Sequence, residues 1–308
     1  DAKTSAIIGF RYEYSDSKLD TETEGRVVDR QFGQFFPSVF LSHKFSDQLG
    51  SNLSYSRRIT RPTFREMAPF VYFLDPNTFF SGNTALQPAL PDAVKLDLNY
   101  KSIFFSVEYA VQDSAIARFQ QRFDPVTQRL VLASENLKNT KTLSFTIGFP
   151  LQITDWWNMR TNAIYYRQEN NGYLDNQLTQ IKQNYFQFNT NQSFKLPMGL
   201  GAELSFFYIG PRLSGTLRFG EMYGLNLGIQ KKLGNKGGTL RLNVRDVLNS
   251  VMLTGSADVP SQIFAFYGDF DFSQRTFSLT YSRSFGNNKV KAARKRQVGA
   301  AEEQRRAN

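Results

Sequence analysis

The sequence predicts an all-β protein folded as a transmembrane, antiparallel, up-and-down β-barrel, with about twelve strands in this chain. Three observations predict this fold: strands that alternate apolar and polar residues, connections that alternate between short and long, and a high aromatic content. Successive side chains of a strand point to opposite sides of a sheet, so such alternation produces one apolar and one polar face. In a membrane barrel these faces meet lipid and a polar lumen.

The alternation is clearest in the last strand, Thr276 to Phe285. One face carries Phe277, Leu279, Tyr281 and Phe285, and the other carries Thr276, Ser278, Thr280, Ser282 and Ser284. Similar patterns predict strands along the rest of the chain. The predicted strands are 4–14, 33–45, 49–60, 92–101, 103–116, 138–149, 156–169, 181–196, 200–210, 221–233, 238–247 and 271–285.

The connections between these strands alternate in length without exception. The short ones are 46–48, 101–102, 153–155, 197–199 and 234–237, and the long ones are 15–32, 61–91, 117–137, 170–180, 211–220 and 248–270. Outer-membrane barrels have short turns on the periplasmic side and long loops outside, whereas a soluble sandwich is under no such constraint. The pattern therefore predicts the cell outer membrane, with the first strand running outward and the C-terminus in the periplasm.

The composition agrees with a barrel and excludes other classes. Aromatic residues make up 15% of the chain, with 29 Phe and 14 Tyr, as expected where aromatic girdles line both membrane interfaces. No segment approaches the roughly 18 to 20 consecutive apolar residues of a spanning helix. The chain has no Cys, which excludes disulfide frameworks and thiolate nucleophiles.

The net charge of +10 is concentrated at the C-terminus. Seven basic and two acidic residues lie between Lys289 and Asn308 and supply half of the net charge. The remaining charge forms no basic stripe, so nucleic-acid binding is not expected. The sequence therefore predicts two regions, a barrel over residues 1–286 and a basic periplasmic tail over residues 287–308.

The candidate catalytic and metal-ligating residues do not form a convincing constellation. His43 is the only histidine, and we expect it to be an interfacial residue near a short turn. Charged residues that we expect on the lumen face are Lys95, Asp97, Glu108, Glu203 and Arg241. The segment 75–82 lacks the repeated carboxylates of a calcium loop. We expect no enzyme activity, no metal site and no cofactor.

The long segment 61–91 contains the candidate ligand-binding residues. Its aromatic side chains include Phe70, Tyr72, Phe73, Phe79 and Phe80. These rings need either a ligand or a packing surface. One interpretation is a vestibule wall that stacks on substrate; the other, which we favour, is a loop folded inward that packs against neighbouring loops and the barrel rim.

Several segments resemble a known family. They are Ser54–Pro62 (SYSRRITRP), 74–78 (LDPNT), 82–88 (GNTALQP), 242–249 (LNVRDVLN) and 285–294 (FGNNKVKAAR). They are similar to the C-terminal barrel of the outer-membrane β-barrel family found within TonB-dependent receptors. The resemblance covers both ends and the middle of the chain.

The resemblance implies a gated importer of Gram-negative bacteria that takes up a scarce nutrient of the siderophore, glycan or peptide class. Such receptors have 22-stranded barrels with a plugged lumen, so ten strands, the plug and the TonB-contacting segment are expected upstream of Asp1. Implied partners are outer-membrane lipid, plug, TonB, the nutrient and the barrel-assembly machinery, which the last strand would contact. The alternatives are a self-contained twelve-stranded porin, adhesin or surface enzyme, and a soluble carbohydrate-binding sandwich.

Overall fold

The structure, a computed structural model, describes residues 3–21, 25–76, 78–124, 128–174, 177–215, 217–234, 237–257 and 266–283. The predicted tail 287–308 and Phe285 lie outside the described residues. The strands are β1 (Thr4–Thr21), β2 (Gly25–Lys44), β3 (Leu49–Arg57), β4 (Val71–Asp75), β5 (Thr78–Ser81), β6 (Leu90–Tyr100), β7 (Ile103–Asp113), β8 (Ile116–Asp124), β9 (Arg129–Asn136), β10 (Asn139–Gln152), β11 (Trp157–Leu174), β12 (Gln177–Leu196), β13 (Leu200–Ile209), β14 (Arg212–Ser214), β15 (Leu217–Phe219), β16 (Met222–Lys232), β17 (Thr239–Arg245), β18 (Met252–Ala257), β19 (Phe266–Asp271) and β20 (Thr276–Ser282). The helical elements are α1 (Phe64–Met67) and a 3₁₀ turn at Pro197–Gly199.

Twelve of these strands form one antiparallel sheet. Its order is β1-β2-β3-β6-β7-β10-β11-β12-β13-β16-β17-β20, so that β1 and β20 are its edges. Each predicted strand corresponds to one strand of this sheet, and neighbours in the chain order pair with each other. The prediction of an up-and-down antiparallel β-barrel fold with about twelve strands in this chain is confirmed.

Two predicted long loops are instead continuations of hairpins. In place of a loop at 15–32, β1 extends to Thr21 and β2 begins at Gly25, with Ser17 paired to Arg30. In place of a loop at 170–180, β11 and β12 continue to Leu174 and from Gln177. These residues lack apolar alternation because the hairpins extend past the apolar belt, where backbone pairing alone defines a strand.

One face of the sheet is apolar across all strands. One outward-facing row joins Leu53, Leu96, Val107, Phe145, Tyr165 and Phe186 by successive cross-strand pairs. A second row joins Leu204, Leu227, Val244 and Phe277. Leu279 is 69% exposed on this face. An exposed belt of this kind fits contact with lipid.

The opposite face is polar, as the alternation predicted. Cross-strand neighbours on it are Ser54, Lys95, Glu108 and Ser144, and, further along the sheet, Asn191, Ser205 and Asn226. Gly228, Asn243 and Ser278 continue the same face to the last strand. This face lines the lumen of a barrel.

The two ends of the sheet differ in their connections. One end has tight turns, where Trp156 and Trp157 stack at 6.2 Å and Trp157 lies 5.9 Å from Phe194 between ring centroids. The other end carries two additional sheets, β4-β5-β9-β8 and β14-β15-β18-β19. On the apolar face, this second end has a rim of tyrosines, namely Tyr55, Tyr109, Tyr165, Tyr208 and Tyr223. No helix in the described ranges is long and apolar enough to span a membrane.

Candidate functional site

The five predicted ligand-binding residues lie together in one small sheet at the long-hairpin end. We call α1 and strands β4, β5, β9 and β8 the loop sheet. Tyr72 is paired with Phe80 and Phe73 with Phe79 across the β4–β5 hairpin. Phe70, Tyr72 and Phe73 are 61%, 49% and 62% exposed, whereas Phe79 and Phe80 are half-buried.

The contacts of these rings differ between the two strands of the hairpin. Strand β5 pairs in parallel with β9, so Phe79 and Phe80 lie beside Val131 and Leu132, both of which are buried. The exposed ring of Phe73 lies 5.9 Å from that of Phe79. The half-buried rings therefore serve packing, while the exposed rings are available to a ligand; ligand contact itself stays a prediction.

Arginine guanidinium groups cover two of the exposed rings. The guanidinium carbon of Arg65 lies 5.5 Å from the ring centroid of Tyr72, and that of Arg129 lies 5.6 Å from Phe73. These distances are within the range of cation–π attraction. The hairpin therefore presents aromatic surfaces together with positive charge.

Helix α1 is held by a capping box between Thr63 and Glu66. The Glu66 N–H donates to Thr63 Oγ1 at 3.2 Å, and the Thr63 N–H donates to Glu66 Oε2 at 2.7 Å. The spacing Thr-x-x-Glu predicts such a capping box from the sequence alone. Two backbone donors that a short helix would leave unpaired are satisfied in this way.

The same carboxylate joins α1 to strand β8. Arg118 Nε donates to Glu66 Oε1 at 2.6 Å, and the Glu66 side chain is only 12% exposed. Burial raises the pKa of Glu66, but the hydrogen bonds from Arg118 and Thr63 together outweigh it and lower the pKa below the ordinary value of 4.5. Glu66 is therefore ionised and bonded on both sides at neutral pH.

We expect acid to loosen the loop sheet. A carboxylate with a lowered pKa stabilises the fold above its ordinary pKa, and that stabilisation is lost as the pH falls below 4.5 through the lowered value. Amide protection of α1 and β4, corrected for intrinsic exchange, should fall between neutral pH and about pH 3.5. Glu66→Gln should lower protection already at neutral pH and remove this pH dependence. Unchanged protection in Glu66→Gln would contradict the expectation.

A cleft of about 340 Å³ lies between α1 and the strands of the loop sheet. Its walls include two cations, Arg65 and Arg118, two rings, Tyr72 and Phe80, and the carboxylate of Glu66. The balance of these charged groups is positive. Arginine and aromatic walls suit a ligand with anionic or planar groups.

The 82–88 segment fixes the loop sheet in place. At Gly82 a Cβ atom would lie 1.9 Å from the carbonyl oxygen of Ala68, so only glycine permits this approach. Asn83 Nδ2 donates to the Ser134 carbonyl at 3.0 Å, and Asn83 Oδ1 accepts from the Ala85 N–H at 2.9 Å. The segment is therefore bonded to β9.

The same segment continues onto the polar face of β1 and β2. Leu86 is fully buried, and Arg30 of β2 donates to its carbonyl oxygen and to that of Thr84. Nearby, Arg61 forms an ion pair of 2.5 Å with Glu13 of β1. Arg61 and the segment 84–86 thus lie over the lumen side of the wall, which agrees with the favoured expectation of a loop folded inward.

The loop sheet is also bonded to the β14–β15 hairpin. The buried Gln120 Nε2 donates to the carbonyl oxygens of Arg118, at 2.7 Å, and Ser214, at 3.2 Å. The buried Asn170 Nδ2 of β11 donates to the Gly215 carbonyl at 3.0 Å. One amide thus connects two loops, and a second connects the hairpin to the barrel wall.

The 242–249 segment forms the turn between β17 and β18. Asp246 has a φ of 47° and is buried. Its Oδ1 accepts from the Ser250 N–H at 2.9 Å, and its own N–H donates to Asn226 Oδ1 at 2.9 Å. The segment therefore serves to close a turn on the polar face of β16.

The remaining predicted polar residues have ordinary partners. Lys95 pairs with Asp97 at 3.0 Å, and Arg241 with Glu203 at 3.7 Å. His43 Nδ1 lies 2.9 Å from Thr4 Oγ1 near a short turn. The described residues contain no group of three His, Cys, Asp or Glu side chains placed to hold a metal ion.

The lumen face near the short turns encloses about 990 Å³, with walls that include Arg160, Asn191, Glu203, Arg241 and Arg245.

Comparisons with known proteins agree with the geometry. The sequence model of the outer membrane protein beta-barrel family matches residues 1–281. Solved structures with a similar fold include the siderophore receptor PiuA from Acinetobacter baumannii (TM-score 0.58, 12% identity, covering 91% of this chain and 40% of that one). The siderophore receptor PirA from Pseudomonas aeruginosa has a TM-score of 0.53 at 13% identity, covering 81% of this chain and 43% of that one.

The copper transporter OprC has a TM-score of 0.54 at 12% identity, covering 80% of this chain and 40% of that one. The chain thus spans less than half the length of these receptors. Identities this low show a shared fold. A comparison with curated protein sequences gives no match.

Proposed function

The chain belongs to the outer membrane protein beta-barrel family, and from this premise we propose that it is the barrel portion of a TonB-dependent receptor that imports a scarce nutrient. The observation that carries the proposal is the combination of an apolar outward belt, a polar inward face and an arginine-lined aromatic loop sheet at one end. The apolar belt suits contact with lipid, and the polar face suits contact with a plug domain inside the barrel. The loop sheet suits binding of a ligand that arrives from outside the cell.

The proposed orientation follows from the connections. The tight-turn end faces the periplasm, and the end with the loop sheet faces the medium. The barrel then covers residues 1–286, with the basic tail 287–308 in the periplasm. Plug and TonB contacts would come from parts of the receptor beyond this chain, and the role is transport rather than catalysis.

The nutrient class is proposed from the loop sheet and supported by the similar structures. The cleft pairs arginines with aromatic rings, and two of the similar proteins are described as siderophore receptors and one as a copper transporter. A metal or a metal chelate is therefore the first class to test, followed by glycans and peptides.

Energised uptake is the test of this function. Cells that express the complete receptor are given a labelled ferric siderophore, copper, an oligosaccharide or an oligopeptide, and accumulation is measured with and without a protonophore. We expect saturable uptake of one probe that stops when the protonophore is added or TonB is removed. Uptake that is non-saturable and indifferent to both would instead indicate a passive pore and contradict the proposal.

The exposed rings of the loop sheet supply a second test. We expect replacement of Phe70, Tyr72 and Phe73 together by serine to weaken binding of the imported probe by about tenfold or more, because each ring contributes roughly 0.5 to 1.5 kcal/mol when it stacks. Binding to the purified complete receptor is measured by titration calorimetry. Phe272→Ser, which removes an exposed ring outside the loop sheet, is the matched control. An equal loss in this control would contradict a ligand site at the loop sheet.

A further inference from the structure

Three cations lie on the outward face where the apolar belt ends. Lys141 of β10 and Lys182 of β12 both pair across the sheet with Glu169 of β11. Arg167, two residues before Glu169, faces the same way and pairs with Leu143 and Asn184. We call Lys141, Arg167 and Lys182 the cationic patch.

The patch lies directly beyond the lipid-facing rings. Toward the tight turns, the outward-facing row after Arg167 and its partners Leu143 and Asn184 consists of Phe145, Tyr165 and Phe186. Tyr165 belongs to the tyrosine rim, and tyrosine rings of such rims lie at the headgroup level of a bilayer. The cationic patch is therefore at headgroup depth, with the apolar belt immediately below it.

Within the patch, the cations outnumber the carboxylate that contacts them. Glu169 is the carboxylate among them, and it lies 3.9 Å from Lys141 Nζ and 3.5 Å from Lys182 Nζ. Glu169 also accepts from Gln180 at 2.8 Å and Asn171 at 3.1 Å. Within the described part of the chain, no ion pair or hydrogen bond engages the side chain of Arg167.

Two other cations at this end of the apolar face lie beside carboxylates. Arg57 lies 3.8 Å from Asp92, and Lys18 lies 3.3 Å from Asp16. The cationic patch, by contrast, holds three cations around one carboxylate, with an excess of two positive charges. It is also exposed, since the side chains of Lys141 and Lys182 are 44% and 54% accessible.

We propose that the cationic patch binds the phosphate groups of a lipid in the leaflet at the long-hairpin end of the barrel. The inference rests on the membrane location and orientation of the proposed function. Arg167 would take a phosphate through its planar fork of donors, while the two lysines supply further charge. The acyl chains of the same lipid would lie along Phe145, Tyr165 and Phe186, which a soluble anion cannot use.

Native mass spectrometry of the complete receptor in detergent tests this site. The probes are bisphosphorylated lipid A, the phosphorylated glycolipid of Gram-negative outer leaflets, and its dephosphorylated form. We expect the receptor to prefer the phosphorylated form, and the triple variant Lys141→Gln, Arg167→Gln, Lys182→Gln to bind it roughly 10- to 100-fold more weakly. Inorganic phosphate at about 20 mM should not displace the lipid, because the chains supply much of the binding.

Two further variants keep the test independent of folding defects. Glu169→Gln removes the one carboxylate, so we expect tighter binding of the phosphorylated probe. Lys231→Gln removes an outward-facing cation at the tight-turn end, beside Leu200 and Leu240, and should leave binding unchanged. Equal binding of both probes, an undiminished preference in the triple variant, or displacement by inorganic phosphate would overturn the proposal. Failure of nutrient uptake would not overturn this proposal, because lipid binding is measured in a separate experiment.

Discussion

Leu225→Arg is expected to destabilise the barrel by about 2 to 4 kcal/mol, the cost of a basic side chain on the lipid face near the bilayer midplane. Leu225 of β16 pairs with Phe206 of β13, and Leu227, next on the same face, pairs with Leu204. Tyr223 of the rim lies on one side of these residues, and the tight turn after β16 on the other. The measurement is reversible urea unfolding of the complete protein in lipid vesicles.

Two comparison variants test the depth and the face separately. Leu279→Arg should cost less, because Leu279 is level with Ile229 and Ala202, close to the tight turns. Ser278→Arg, on the adjacent polar face, should cost least. Asn226 is unsuitable as a polar-face control because its amide oxygen accepts from the Asp246 N–H. Equal costs for Leu225→Arg and Ser278→Arg would contradict the assignment of faces.

Asp246→Ala is expected to destabilise the protein by about 2 to 4 kcal/mol, since it removes charged acceptors from partly buried backbone donors and places alanine at positive φ. The carboxylate accepts from the N–H groups of Ser250 and Val251, at 2.9 and 3.5 Å. The same urea unfolding measurement applies. The loss should appear as a lower unfolding midpoint.

Asp246→Asn separates the two causes. Asparagine tolerates positive φ and keeps one acceptor oxygen, so we expect a loss of about 1 kcal/mol. If Asp246→Asn and Asp246→Ala lowered the midpoint equally, the charge rather than the turn geometry would be the main contribution. If neither changed stability, the proposed role of Asp246 would be wrong.

The sequence predicted the barrel strands well, because a membrane imposes a two-residue repeat that is visible without any structure. Segments such as 142–149 alternate so strictly that their faces follow directly. The hairpin extensions at Ser17 and Asn171 were missed for the converse reason. Beyond the membrane both faces meet water, so backbone pairing persists while the alternation disappears.

The candidate site was predicted as a set of residues, but not as an arrangement. Aromatic content placed Phe70, Tyr72 and Phe73 in one loop, whereas their proximity to Arg65 and Arg129 depends on the β4–β5 hairpin. The parallel pairing of β5 with β9 joins segments about fifty residues apart. Short strands of this kind have no periodic signal. The Thr63 capping box, in contrast, was readable from local spacing alone.

The bond from Gln120 has a mechanical consequence for capture of a nutrient. Its amide is held between the carbonyl groups of Arg118, beside the cleft, and Ser214, at the tip of another hairpin. If a bound ligand displaced Arg118, the hydrogen bonds of Gln120 would transmit that displacement to Ser214. The hydrogen bond from Asn170 to the Gly215 carbonyl would oppose movement of the same hairpin. Ligand-induced movement at the long-hairpin end would therefore involve both hairpins together. The rigidity of the Gln120 connection between them, rather than of either hairpin alone, would determine how far this end of the barrel closes.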